Sequence, residues 1–176
     1  MNPITVIHFI SMIENSCIRL MNTPLGTLRI GGNASVVTVV EFDNQEDYYI
    51  TGDMTIPVSM CIDQLHEYFE GKRTEFSVPI QFEGTQFQQK VWGALQKIPF
   101  AQKVSYGYIA GQIGSHQAQR AVGNANNNNP IAIIIPCHRV VGADNKLVGY
   151  AGGLWRKAWL LEHEESVAGT RHPVLL

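Results

Sequence analysis

The sequence predicts an α/β protein in two parts. A small sheet-plus-helix domain comes first, followed by a mainly helical domain with a helix-turn-helix. Three observations lead there. Short β-branched and apolar runs separated by Pro and Gly crowd the first part of the chain. Capping residues followed by apolar residues at helical spacing dominate the second half. The charge divides the same way: residues 1–84 hold four Lys/Arg against eleven Asp/Glu, and residues 85–163 hold eight against two. The expected organisation is an N-terminal extension over 1–16, an α/β domain over 17–78, a linker over 79–84, the second domain over 85–168 and a tail over 169–176.

The elements follow in order. Cys17–Asn22 and Thr27–Gly32 read as strands flanking Thr23-Pro24-Leu25-Gly26, where Pro and Gly favour a turn. Ala34–Phe42 is a further β-branched run. Val58–Glu70 carries Met60, Ile62, Leu65 and Phe69 near helical spacing, and Gly71 would end that helix. Thr85 can cap a helix to about Lys97 that presents Phe87, Val91 and Leu95 on one face, with Pro99 beyond its end. Ser105 can cap a short helix, Tyr106–Ile113, closed by Gly114, and Ser115 another that runs to about Asn126 and stops before Pro130. This pair is the candidate helix-turn-helix. Ile131–Ile135 reads as a buried, extended segment because of its β-branching. Gly142–Lys146 is a turn and Gly149–Gly153 a glycine-rich loop. Leu154–Glu165 is a final helix with Leu160 and Leu161 apolar and Arg156 and Lys157 polar.

Composition narrows the function. With 45% hydrophobic and 16% charged residues, the chain can bury a core and wholesale disorder is excluded. The net charge of −2 hides a second half with no acidic residue between Thr85 and Ala143, a stretch that attracts a polyanion. Three cysteines without CxxC spacing argue against a disulfide framework and for a reducing compartment. The opening MNPITVIHFISMIENS has no basic flank and a short apolar run broken by His8, so neither a signal peptide nor a membrane span is expected, and the chain reads as cytoplasmic. Cys17, Cys61, His8 and His66 form no zinc spacing, so no metal is expected.

Cys137 is the candidate nucleophile. A free cysteine after an apolar run is more often inert core. Here His138 and Arg139 follow at once, either able to favour the thiolate, and the nearby glycine-rich loop allows a ligand close to the backbone. Adjacent residues on an extended chain face opposite ways, so the chain must turn, or a water bridge, for Cys137 and His138 to cooperate. A third group should orient the imidazole. Glu164 is a candidate, although on its own it reads as the solvated end of a helix.

Pro136-Cys137-His138-Arg139-Val140-Val141 resembles the active-site signature of the O6-alkylguanine-DNA alkyltransferases. Phe87-Gln88-Gln89-Lys90-Val91-Trp92, Val104-Ser105-Tyr106, Arg120-Ala121-Val122-Gly123, Asn129-Pro130, Gly149-Tyr150-Ala151-Gly152-Gly153-Leu154 and Trp159-Leu160-Leu161-Glu162-His163-Glu164 resemble further family blocks in order and spacing. The likeness covers about residues 85–165 and is loose before that.

The resemblance implies a second domain with a winged-helix-like helix-turn-helix. Its implied function is single-use DNA repair, in which the alkyl group of O6-alkylguanine, and by extension O4-alkylthymine, passes irreversibly to Cys137 without a cofactor. His138 would act as base through a water, Glu164 would be buried and orient it, Asn129 would brace the turn, and Tyr106 would rotate the target phosphate and hydrogen-bond the guanine. Arg120 would fill the space left by the flipped nucleotide, with Ser105, Tyr106, Ala121, Gly123 and Asn126 also at the DNA. Pro136, Val140, Tyr150 and Ala151 would line the guanine pocket. Double-stranded DNA bearing the lesion is the implied partner of a monomer. Ala151 departs from the serine of some members, and Asn127 from a glycine, a position where Asn tolerates positive φ. Two other readings stay open: a lesion binder without chemistry, which Cys137 argues against, and a thiol hydrolase, which has no need of Arg120 or a helix-turn-helix.

Overall fold

A computed structural model of the chain describes residues 16–42, 50–142 and 145–169. Apart from Ser16 and Gly169, the expected N-terminal extension and C-terminal tail lie outside these residues. The chain divides into two compact units, one ending at Gln81 and the other beginning at Phe82.

The first unit is a three-stranded antiparallel sheet carrying one helix. Strands β1 (Cys17–Thr23) and β2 (Gly26–Gly32) form a hairpin whose pairing runs from Cys17–Gly32 to Thr23–Gly26. Gly26 closes the turn at φ 100, a conformation that a Cβ would strain. β3 (Val37–Phe42) joins the other edge of β2. Leu28, Ile30, Val37 and Val40 are wholly buried, in keeping with the alternation of a half-buried sheet. Helix α1 (Ile56–Phe69) packs against the sheet through Val58, Cys61, Leu65 and Tyr68. The expected stripe was offset: of Met60, Ile62, Leu65 and Phe69, only Leu65 is buried. Gly71 (φ 72) ends the helix as expected. Residues 79–81, read from the sequence as linker, instead belong to this unit, since Val37 N–H donates to the Pro79 carbonyl and Gln81 N–H to the Val37 carbonyl, each at 2.9 Å.

The second unit is mainly helical. Thr85 caps α2 (Gln86–Leu95) through a reciprocal capping box with Gln88. Trp92 lies buried on its inner face and donates Nε1–H to the Ala125 carbonyl at 2.8 Å. Strand β4 (Val104–Ser105) leads directly into α3 (Tyr106–Gln112), capped by the Ser105 hydroxyl. Gly114 (φ 70) turns the chain, and α4 (Gln119–Asn127) follows. α4 begins later than expected. Ser115 does not cap it; its carbonyl accepts Ala118 N–H in a separate turn, and Ala118 is the N-cap. Asn127 is helical, so no left-handed residue is needed there.

Ile131–Ile135 is buried, apart from the half-buried Ile134, but not extended. Ile135 N–H donates back to the Ile131 carbonyl at 3.0 Å, Ile134 N–H to Ala132 at 2.9 Å, and Ile133 takes φ 71. Local hydrogen bonds let this apolar run be buried without a sheet partner. A single 3₁₀ turn (Cys137–Arg139) and β5 (Val140–Val141) come next. β5 pairs in parallel with β4, Val104 opposite Val140 and Ser105 opposite Val141, so the start of the helix-turn-helix lies beside the residues that follow Cys137. Helix α5 (Leu154–Val167) closes the unit with Lys157, Leu160, Leu161 and Glu164 facing inward. Among the described residues, no helix is long and apolar enough to cross a membrane.

Candidate active site

Asn129 organises the approach to Cys137. Its Oδ1 accepts Ile131 N–H at 3.0 Å, and its Nδ2 donates to the Ile135 carbonyl at 2.8 Å and to Cys137 Sγ at 3.0 Å. Cys137 and His138 lie in a 3₁₀ turn, so the chain bends here and is not extended. Cys137 N–H donates back to the Ile135 carbonyl at 2.7 Å as the turn begins. Cys137 is 4% exposed. Burial pushes its thiol up, and the Asn129 amide and the Lys157 charge oppose that without reversing it. Burial thus works against the thiolate that His138 or Arg139 was read as able to favour. The neighbouring Arg139 does not serve the sulfur, because its guanidinium is engaged elsewhere.

That engagement is Glu164, which is fully buried. Oε1 accepts from His138 Nε2 at 2.8 Å and Arg139 Nη2 at 2.9 Å, and Oε2 from Arg139 Nε at 2.9 Å and Ala101 N–H at 3.0 Å. Arg139 Nη1 also reaches the Ile98 carbonyl at 2.7 Å. Burial alone would push the Glu164 carboxyl up, but the hydrogen bonds and charges of His138 and Arg139 outweigh it and hold the group well below the usual carboxylate range. Burial pushes the His138 imidazole down; Glu164 counters, and Arg139 and Lys157 press the same way as burial. An ionised carboxylate can only accept, so the neutral imidazole carries its proton on Nε2. Nδ1 is then the basic nitrogen, and it is buried without a hydrogen-bond partner.

Lys157 fastens the far wall. Its fully buried ammonium donates to the carbonyls of Val140 at 2.6 Å, Val148 at 2.8 Å and Gly149 at 3.4 Å, tying β5 to the glycine-rich loop. Burial lowers its pKa to about 8, and Cys137 is the charge that opposes this. The Tyr106 hydroxyl donates to the same Val148 carbonyl at 3.1 Å, and its ring lies 5.9 Å from Lys157 Nζ. The Tyr150 hydroxyl is buried without a partner, and burial raises its pKa well above the usual phenol value.

A basic nitrogen, a thiol and an unpartnered phenol are thus all buried within the helix-turn-helix unit. Residues 86–166 match the family model described as 6-O-methylguanine DNA methyltransferase, DNA binding domain, and residues 17–82 match that family's ribonuclease-like domain. The chain belongs to the 6-O-methylguanine DNA methyltransferase family. A methylated-DNA–protein-cysteine methyltransferase of Mycobacterium tuberculosis is 49% identical over 154 residues, covering 85% of this chain and 93% of that protein. One of Mycobacterium leprae is 46% identical over 151 residues, covering 84% and 91%. Among solved structures, Mycobacterium tuberculosis OGT in complex with DNA is similar at a TM-score of 0.79 and 47% identity, covering 85% of this chain and 93% of that one.

Within this methyltransferase, Cys137, His138, Glu164 and Asn129 converge, while Pro136 and Val140 are buried beside them. Ala151 is exposed. Arg120 and Ala121 are exposed on α4, and Ser105 spends its hydroxyl as a cap on Tyr108 N–H. Gly123 is half-buried beside the Tyr106 ring. Asn126, expected at the DNA, is corrected: it is 2% exposed, and its Nδ2 donates to the Cys137 carbonyl at 3.2 Å. It shares the inner face of α4 with Val122 and Ala125 at spacings of three and four, which turns it away from the surface.

Sequence reasoning missed two residues. Lys157 was read only as a polar position of the last helix, and Arg139 was not seen as the partner of Glu164. A strict 3.6-residue period was the available signal, since Lys157, Leu160, Leu161 and Glu164 lie at i, i+3, i+4 and i+7. Among the described residues, no group of three His, Cys, Asp or Glu could hold a metal ion.

Glu164→Gln is expected to lower the unfolding free energy at neutral pH by about 3–5 kcal/mol, because Arg139 is left buried without its carboxylate. A depressed folded pKa contributes stability above the usual carboxylate range, and that stability is lost as pH falls toward the depressed value. Denaturant titrations across the acid range should therefore show a flatter acid limb in the variant than in the parent.

Proposed function

We propose that this chain performs alkyl-transfer DNA repair with Cys137 as the acceptor and O6-alkylguanine as the substrate. One observation carries the reading: a buried thiol held by the Asn129 amide at 3.0 Å adjoins an imidazole whose Nε2 is fixed on an ionised carboxylate at 2.8 Å. DNA is the partner, and the second half of the chain has the positive charge to attract it.

The O6 carbon is out of reach inside a duplex, so the nucleotide is flipped out. Arg120, exposed on α4, fills the space it leaves. Tyr106 rotates the target phosphate and meets the guanine. Tyr150, Val140, Pro136 and the backbone of Ala151 line the pocket. The Cys137 thiol gives its proton to His138 Nδ1, through a bridging water, and Glu164 stabilises the imidazolium. The sulfur attacks the alkyl carbon, forming a C–S bond as the C–O6 bond breaks. The proton ends on the departing guanine, which leaves neutral. The product is a thioether that none of these groups can cleave, so each molecule acts once. No cofactor enters this balance. The site needs only one chain, so the protein works as a monomer, and its free cysteines suit the reducing cytoplasm.

Incubation with a duplex containing O6-methylguanine should add one methyl group per protein, located by mass spectrometry on the Cys137 peptide, and Cys137→Ala should form no adduct while still binding DNA. An intact mass unchanged after incubation would indicate a lesion binder, and multiple turnover a hydrolase. Arg120→Ala is expected to slow transfer from the duplex more than transfer from free O6-benzylguanine, which needs no flipping; equal slowing would remove the finger role. The reactive form pairs a neutral imidazole with the thiol. His138 is pushed below its ordinary 6.5, so the acid limb of the single-turnover rate should lie below that pH. An acid limb at or above the ordinary histidine value would exclude His138 as base.

A further inference from the structure

Asn126 is a polar residue in an apolar setting. It is 2% exposed, on the inner face of α4 between Val122 and Ala125 on one side and the Cys137 turn on the other. Its amide is only half satisfied, as Nδ2 donates to the Cys137 carbonyl at 3.2 Å and Oδ1 is buried without a partner. The orientation is unambiguous, since a carbonyl must be met by the NH₂ end. The bond is also dispensable for the carbonyl, which already accepts Val140 N–H from the closing end of the turn. A leucine of similar volume would avoid the unpaired oxygen. A buried polar group kept half-satisfied beside a nucleophile calls for a role other than stability.

Its place in the helix supplies that role. Arg120 and Ala121 are exposed near the start of α4, while Asn126, one and a half turns further on, faces the interior. The same stretch is anchored at the Ala125 carbonyl by Trp92 Nε1, so α4 is attached to the scaffold one residue before it is attached to the nucleophile. Resting on the reading of α4 as the DNA helix and Cys137 as the acceptor, we propose that Asn126 is a positioning residue coupling the two: its amide transmits the seating of α4 on DNA to the backbone of Cys137. The chemistry at the sulfur then depends on whether α4 is loaded, even for a substrate that is not part of the DNA.

The test uses free O6-benzylguanine as substrate and an unmodified duplex as the load. Single-turnover rates are measured for the full chain with and without duplex, with the adduct located on Cys137 by mass spectrometry and duplex affinity determined separately. The parent rate is expected to change by about fivefold or more on adding duplex. In Asn126→Leu, and in Asn126→Ser as a smaller replacement if leucine impairs folding, the ratio of the two rates should collapse toward one at saturating duplex. A purely structural role would alter both rates alike and leave that ratio unchanged. A folded variant that keeps the parent's ratio, or a parent that does not respond to duplex, overturns the coupling. If the parent forms no Cys137 adduct, the acceptor reading fails and the coupling fails with it.

Discussion

The second unit depends on one buried carboxylate. Glu164 receives four donors from two parts of the chain: the imidazole and guanidinium of the 3₁₀ turn, and the backbone of Ala101. A charge taken out of water is tolerable only when its lone pairs are filled this completely. The same bonds that satisfy the carboxylate fix the tautomer of His138 and pin α5 to the turn. Stability and reactivity therefore share an atom, and neither can be altered at Glu164 without the other.

The resting electrostatics differ from those of a cysteine primed as an anion. Burial favours the neutral form of both Cys137 and His138. A neutral pair suits a group that reacts only once, because an exposed, permanently ionised thiolate would be open to oxidation and stray electrophiles. The chain turns at Cys137, where Asn129 takes up hydrogen bonds of the segment before it.

Much of this was legible in the sequence. Thr85 and Ser105 announced their helices because capping is local chemistry, written in the residue and its neighbours three positions on. The conjunction of Cys137 and His138 was equally readable, and the family resemblance supplied Glu164. Tertiary choices were harder to see. Ile131–Ile135 has every mark of a strand, yet folds back on itself because a side chain two residues upstream takes its carbonyls. Asn126 looked like a surface amide until the face of α4 was known. The burial of Lys157 was not foreseen, because a cation on a helix is nearly always solvated and only a binding site made of backbone carbonyls justifies burying one.

That buried cation has a consequence for how charge moves during the reaction. Glu164 is already matched by Arg139, whereas Lys157 is bonded to three carbonyls and, among the described residues, to no carboxylate. The chamber is thus polarised in advance, like a capacitor plate waiting for its opposite. Any negative charge that develops beside it meets a field that was set up when the protein folded, so little reorganisation is needed to stabilise it.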